Sequence, residues 1–218
     1  MKVYIFVFIF SLLSAQSLPS EWSQSYSTFD CAPVHVPGSY SLGFGIDNYA
    51  LYGAEPDSVS YDTRRFDIFA HVGVFKNAEL ELKFSYPTNG IIAIKYLILN
   101  GWADASLKFG FSYMKGTRSS YMTDYVFDFY PTCIITKAIS KGICIYVAPK
   151  IIYSMYPRDR QEHSDREPRN ILQYGHGIGM MFGEEFQVMI EGNWLFGNNE
   201  GLHYTVNQYG IGVNALIH

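Results

Sequence analysis

The residues that could carry acid–base chemistry are few, and their spacing works against it. Asp124 and Asp128, taken with His71, are the groups from which a hydrolase would be built. On a strand, carboxylates four residues apart share a face but stand about 13 Å apart along it. Paired glycosidase carboxylates work at separations up to about 9.5 Å, so these two do not share one reacting atom. An Asp and a His from different strands could still meet at a rim, but no pattern marks such a site. The six histidines show no HxH or HxxxH spacing, so no metal site is expected. His163 stands in a charged loop and His176 in a glycine-rich strand. No glycine-rich phosphate loop precedes a helix, and no cofactor or enzymatic activity is expected. Cys31, Cys133 and Cys144 are an odd set, so in an exported chain at least one stays free or pairs between molecules. By the alternation described next, Cys133 and Cys144 face opposite sides of their sheet, which disfavours a disulfide between them.

The elements that would position these groups are strands. The stretch from Ala78 to Tyr113 holds three segments split by turn residues. In the first, Leu80, Leu82, Phe84 and Tyr86 alternate with Glu79, Glu81, Lys83 and Ser85. In the second, Ile92, Ile94, Tyr96 and Ile98 share a face and Lys95 points the other way. In the third, Leu107, Phe109, Phe111 and Tyr113 alternate with Ser106, Lys108, Gly110 and Ser112. A period of two gives each strand one apolar and one polar face. Each apolar face ends in Tyr, Phe or the nearby Trp102, which suits a strand crossing a membrane with aromatics at the headgroups. An ordinary antiparallel sheet with one buried face shows the same alternation.

The same pattern predicts strands over 39–47, 64–75, 121–139, 143–155, 172–182, 185–196 and 203–217. Pro131 removes a ladder donor from the 121–139 segment and is expected to mark a bulge or a turn. The segment 157–170, PRDRQEHSDREPRN, mixes both charges with no apolar period and reads as a solvated loop. Connections alternate between long and short, with short reversals at Lys76-Asn77, Ser140–Gly142 and Gly183-Glu184. The total of about ten strands is even, as single-chain bacterial barrels require.

The first residues, MKVYIFVFIFSLLSAQS, have a positive end at Lys2, an apolar core from Val3 to Leu13 and a small-residue cleavage site at Ala15-Gln16-Ser17. This is the pattern of a cleaved signal peptide, and its apolar run is short of the roughly 20 residues a spanning helix needs. No cysteine sits at the cleavage point, so no lipoprotein is expected. Charged residues make up 17% of the 218, below the roughly 25% of an average soluble domain. A net charge of −4 without any basic run argues against a nucleic-acid partner.

With its signal peptide, alternating segments such as ELELKFSY and SLKFGFSY, aromatic strand ends and closing strand YGIGVNALI, the chain resembles the small outer-membrane β-barrel proteins of Gram-negative-type bacteria. The resemblance implies an all-β fold, an antiparallel up-and-down transmembrane barrel, lodged in outer-membrane lipid with the help of the barrel-assembly machinery. Such barrels usually end in an aromatic residue, whereas this chain ends Leu216-Ile217-His218. The expected organisation is a signal peptide over 1–17, a periplasmic lead-in over 18–38 and the barrel over 39–218. If the apolar faces meet lipid, Arg65, Asp67, His71, Glu79, Glu81, Lys83, Lys95, Lys108, Asp124, Asp128, Lys150 and Glu191 line the lumen as a mixed-sign polar network. The function expected is structural, or a narrow or occluded channel passing small solutes at most. The alternative is a secreted soluble barrel binding a small apolar ligand, which requires the apolar faces to point inward.

Overall fold

The computed structural model describes residues 27–52, 59–86, 89–115, 125–155, 170–199 and 202–217. The expected signal peptide, Asp124, His163 and the loop over 157–169 lie outside these residues. Ten strands follow one another: β1 (Tyr40–Tyr52), β2 (Val59–Phe75), β3 (Ala78–Tyr86), β4 (Asn89–Leu99), β5 (Asp104–Lys115), β6 (Tyr125–Ser140), β7 (Ile143–Met155), β8 (Asn170–Phe182), β9 (Phe186–Asn199) and β10 (Leu202–Ile217). Each pairs antiparallel with its neighbours in sequence. The ring closes where β1 meets β10, with Tyr40 opposite Ile217 and Tyr52 opposite Thr205. Among the described residues, closure leaves no open strand edge, a requirement for β-structure in lipid.

Alternation sets which face is which. Leu82, Ile94, Phe109, Val147 and Ile190 all point outward, with Ile94 48% exposed, while the adjacent Lys95 is fully buried. Aromatic pairs such as Phe109–Phe129 and Phe111–Phe127 stack across the outer surface. The wall is therefore greasy outside and polar inside, the reverse of a water-soluble barrel. The fold is a transmembrane antiparallel β-barrel. Its shortest strand, β3, has nine residues, matching the about nine to eleven a tilted strand needs to cross the hydrocarbon layer.

One rim carries the reversals at 76–77 and 141–142, the connections 100–103 and 183–185, and the start of β1. Gly142 takes φ 74° and Gly183 φ 103°, left-handed values that glycine adopts without a Cβ clash. β1 and β2 run further than the alternation suggested, because Asn48 pairs with Arg64 and Leu51 with Tyr61 beyond the apolar belt. Pro131 neither bulges nor breaks β6. Phe129 faces Tyr153 and Thr132 faces Lys150 in one unshifted register, and Pro131 lies opposite Phe109 on the other side. The lost ladder donor interrupts hydrogen bonding to β7 without changing which residues face inward.

Candidate functional site: a polar bore and its plug

The described part of the lead-in expected over 18–38 packs within the barrel rather than standing apart from it. Residues 27–32 are all buried inside the barrel, and 33–35 continue toward its rim, where Pro33 is exposed. The physical reason is charge and hydrogen-bond complementarity with the wall. Ser27 Oγ donates to Asp47 at 3.1 Å, and the Ser27 carbonyl accepts from Lys83 at 2.7 Å. The backbone N–H groups of Thr28 and Phe29 donate, each at 2.7 Å, to the two oxygens of Glu191. Phe29 has φ 41°, unusual for a residue with a side chain. That turn aims two successive N–H groups at one carboxylate, the geometry of an anion-binding nest. Further along, Ala32 N donates to Thr136 Oγ1 at 2.8 Å. His35 donates its backbone N–H to Glu79 Oε2 at 2.8 Å, with its ring Nδ1 2.7 Å from the same oxygen. The segment then leaves through the rim, where Gly38 N donates to the Gly73 carbonyl, and enters β1.

The plug also fills space. The Phe29 ring stacks on Phe69 at 6.1 Å between centroids and packs with Met189. A Cβ at Gly45, Gly210 or Gly212 would run into that ring. These inward glycines of β1 and β10 hollow the wall where the plug is widest.

The predicted lumen residues fall as follows. Arg65, Asp67, His71, Glu79, Glu81, Lys83, Lys95, Lys108, Asp128, Lys150 and Glu191 are all buried on the inner face. Lys83 pairs with Asp67 at 2.9 Å, Lys95 with Glu79 at 2.7 Å, and Lys108 with Glu81. Lys150 lies 3.7 Å from Glu191 and 2.7 Å from Asn193 Oδ1. Ser112 donates to Asp128 at 2.6 Å. One local conflict appears in the wall itself: Lys95 and Lys108 stand directly opposite on β4 and β5, and like charges so placed repel. The plug supplies the carboxylate between them, Asp30, at 2.8 Å from Lys95 and 3.9 Å from Lys108. Lys95 also reaches the carbonyls of Cys31 and Pro33. The plug is thus part of the charge balance.

A donor set for a metal exists near the rim, where His35, His71 and Glu79 gather within 4.8 Å. Both oxygens of Glu79 already have partners, Lys95 on one and His35 on the other, so an ion there would have to displace an ammonium. His71 stacks on Phe69 and meets His35 edge-on, and its ring nitrogens stay 4.0 Å from Glu79 and 3.8 Å from Glu81. His71 stands beside Glu79 and Glu81, whereas Asp128 accepts from Ser112. His176 points outward beside Trp194.

Sequence reasoning missed Asp30, Thr28 and Phe29 because 18–38 has no period. Two signals pointed to them. Inward glycines sit at 43, 45, 210 and 212 on neighbouring strands, and two lysines oppose each other across the β4–β5 hairpin.

No family model matches the chain, and no curated protein matches it in sequence. Several solved structures are similar in shape. Neisserial surface protein A is 8% identical with a TM-score of 0.46, covering 81% of this chain and 96% of its own. The Yersinia pestis outer membrane protein Ail, solved in a phospholipid bilayer nanodisc, is 13% identical with a TM-score of 0.38, covering 83% and 99%. The translocator domain of the autotransporter NalP from Neisseria meningitidis is 9% identical with a TM-score of 0.39, covering 82% and 89%.

Proposed function

We propose that this protein is an occluded barrel of the bacterial outer membrane, a non-catalytic scaffold whose bore is closed by its own N-terminal segment. The observation that carries this reading is the seating of residues 27–35 against Glu191, Lys95 and Glu79. A segment held only at its ends would leave the bore free to water. This one is bonded at successive residues, so the space a solute would need is filled by polypeptide. The outer-membrane assignment is supported by the closed β-wall with an apolar outside, since a spanning β-structure must have no open edge. The secreted, ligand-binding alternative needs an apolar interior, whereas the inner face here is lined by ion pairs.

The test is electrical. Purified protein in a planar bilayer is expected to show no large, stable conductance. A wide, porin-like channel insensitive to substitution at Lys95 and Asp128 would overturn the reading. Fractionation of lysed cells tests the location, with recovery in the outer-membrane fraction expected.

A further inference from the structure

Cys31 on the plug and Cys144 on β7 bring their Sγ atoms to 3.1 Å, although 113 residues separate them in the chain. Both are buried, and both belong to one small cluster with Ala32 and Tyr146. The sulfur contact does not stand alone. The Cys31 carbonyl accepts from Lys95 at 2.7 Å and the next residue's N–H donates to Thr136 at 2.8 Å. The backbone of Cys31 is therefore placed by polar contacts independent of its thiol. A disulfide holds its sulfurs about 2.05 Å apart, so the two need to approach by only about 1 Å. Cys133 lies on the outward face of β6 and is turned away from both. We propose that Cys31 and Cys144 form a disulfide in the mature protein, a covalent latch between the plug and the barrel wall.

This rests on the reading of the chain as exported, because such bonds persist in oxidising compartments. The oxidant is a disulfide, carried by an envelope thiol oxidase or by glutathione. Cys31 lines a cavity of about 230 Å³ beside His35, Val36 and Met181, and Val36 is 70% exposed, so the cavity adjoins solvent. The Cys31 thiolate attacks one sulfur of the oxidant, breaking its S–S bond and releasing one thiolate. The Cys144 thiolate then attacks Cys31 Sγ in the mixed disulfide and displaces the second thiolate. The two protons lost by the cysteines end on the two released thiols. The cysteines give up two electrons and the oxidant gains them.

The latch is tested on protein from the outer-membrane fraction and on protein refolded in detergent micelles with glutathione and glutathione disulfide. Each sample is unfolded in detergent without reductant, alkylated with N-ethylmaleimide and weighed. One adduct, at Cys133, is expected before reduction and three after it, and peptide mapping should join the Cys31 and Cys144 peptides. Cys31→Ser and Cys144→Ser should each show two adducts without reduction, and Cys133→Ser none. Three adducts on unreduced wild-type protein in either sample, or a cross-link involving Cys133, would overturn the latch. Absence from the outer-membrane fraction would count against the export reading, and the refolded sample would still decide the latch.

Discussion

The Glu191→Gln substitution puts the plug to its most direct test. In the native protein the Glu191 carboxylate accepts from Thr28 N and Phe29 N at 2.7 Å, Tyr146 Oη at 2.6 Å and Asn193 Nδ2 at 2.8 Å. Glutamine keeps the shape but offers one oxygen and one NH2 donor. Tyr146 can turn its hydroxyl to accept from that NH2. A backbone N–H has no such freedom, so one plug amide is left facing a donor. A hydrogen bond to a charged partner contributes about 1.5–3 kcal/mol. Lys150 keeps Asn193 and Thr28 Oγ1 as partners, which limits the damage on the wall side. Seating of the plug should therefore weaken by about 2–3 kcal/mol, roughly two orders of magnitude in its opening constant. Amide hydrogen exchange of the reduced protein in micelles, read by mass spectrometry on a peptide spanning residues 27–37, measures this. Thr28 and Phe29 should exchange roughly 100-fold faster in the variant while strand amides hold their protection. Glu184→Gln, which touches only the exposed pair with Lys141, should change nothing. Equal exchange in wild type and Glu191→Gln, or wild-type plug amides already at free-chain rates, would refute the seating described here.

Ile94→Arg should destabilise the barrel in lipid vesicles by about 2–4 kcal/mol, because it places a cation at the lipid face; denaturant titration reads it. Spin labels at 94 should be quenched by a lipid-phase relaxant and those at 95 should not, and the reverse pattern would turn the wall inside out. Lys95→Met leaves Asp30 and Glu79 without their shared ammonium and should cost about 3–5 kcal/mol, as breaking a buried pair does, measured by the same titration. An epitope inserted near Ser164 should be readable on intact cells. This follows from expecting the longer connections outside the cell and the short reversals on the periplasmic side, and readability only after the outer membrane is opened would reverse that orientation.

Ten strands were legible because each must satisfy two different solvents at once. A residue on β3 meets either lipid or the polar bore, so AELELKFSY has little freedom to deviate from a period of two. β8 carries a weaker alternation because three of its inward positions, Gly175, Gly177 and Gly179, are glycines. The structure shows why: a Cβ at Gly179 would collide with the Tyr146 ring, one at Gly177 with Asn193, and one at Gly175 with the backbone of Trp194. Where neighbours supply the bulk, the strand carries no pattern of its own. The ends of β1 and β2 were missed because they extend past the belt where alternation is enforced. The plug was illegible for a deeper reason: residues 27–35 take their conformation from partners such as Glu191 and Lys95, far away in sequence. The wall's inward charges could be named individually, but their pairing depends on which strands adjoin and on a segment no periodicity reveals. Pro131 misled in the opposite direction, since a barrel strand held in register on both flanks tolerates one missing donor.

The seam between β1 and β10 bears on the order of events during assembly. β10 is made after β1 to β9, and its ladder with β1 completes the ring. Phe29 rests against glycines on both banks of that seam, Gly45 on one and Gly210 and Gly212 on the other. A segment made before β1 thus waits for β10. The barrel is drawn shut around its own beginning, as staves are closed on a form, and a lesion that unseats Phe29 should show first as slow or failed closure of the ring.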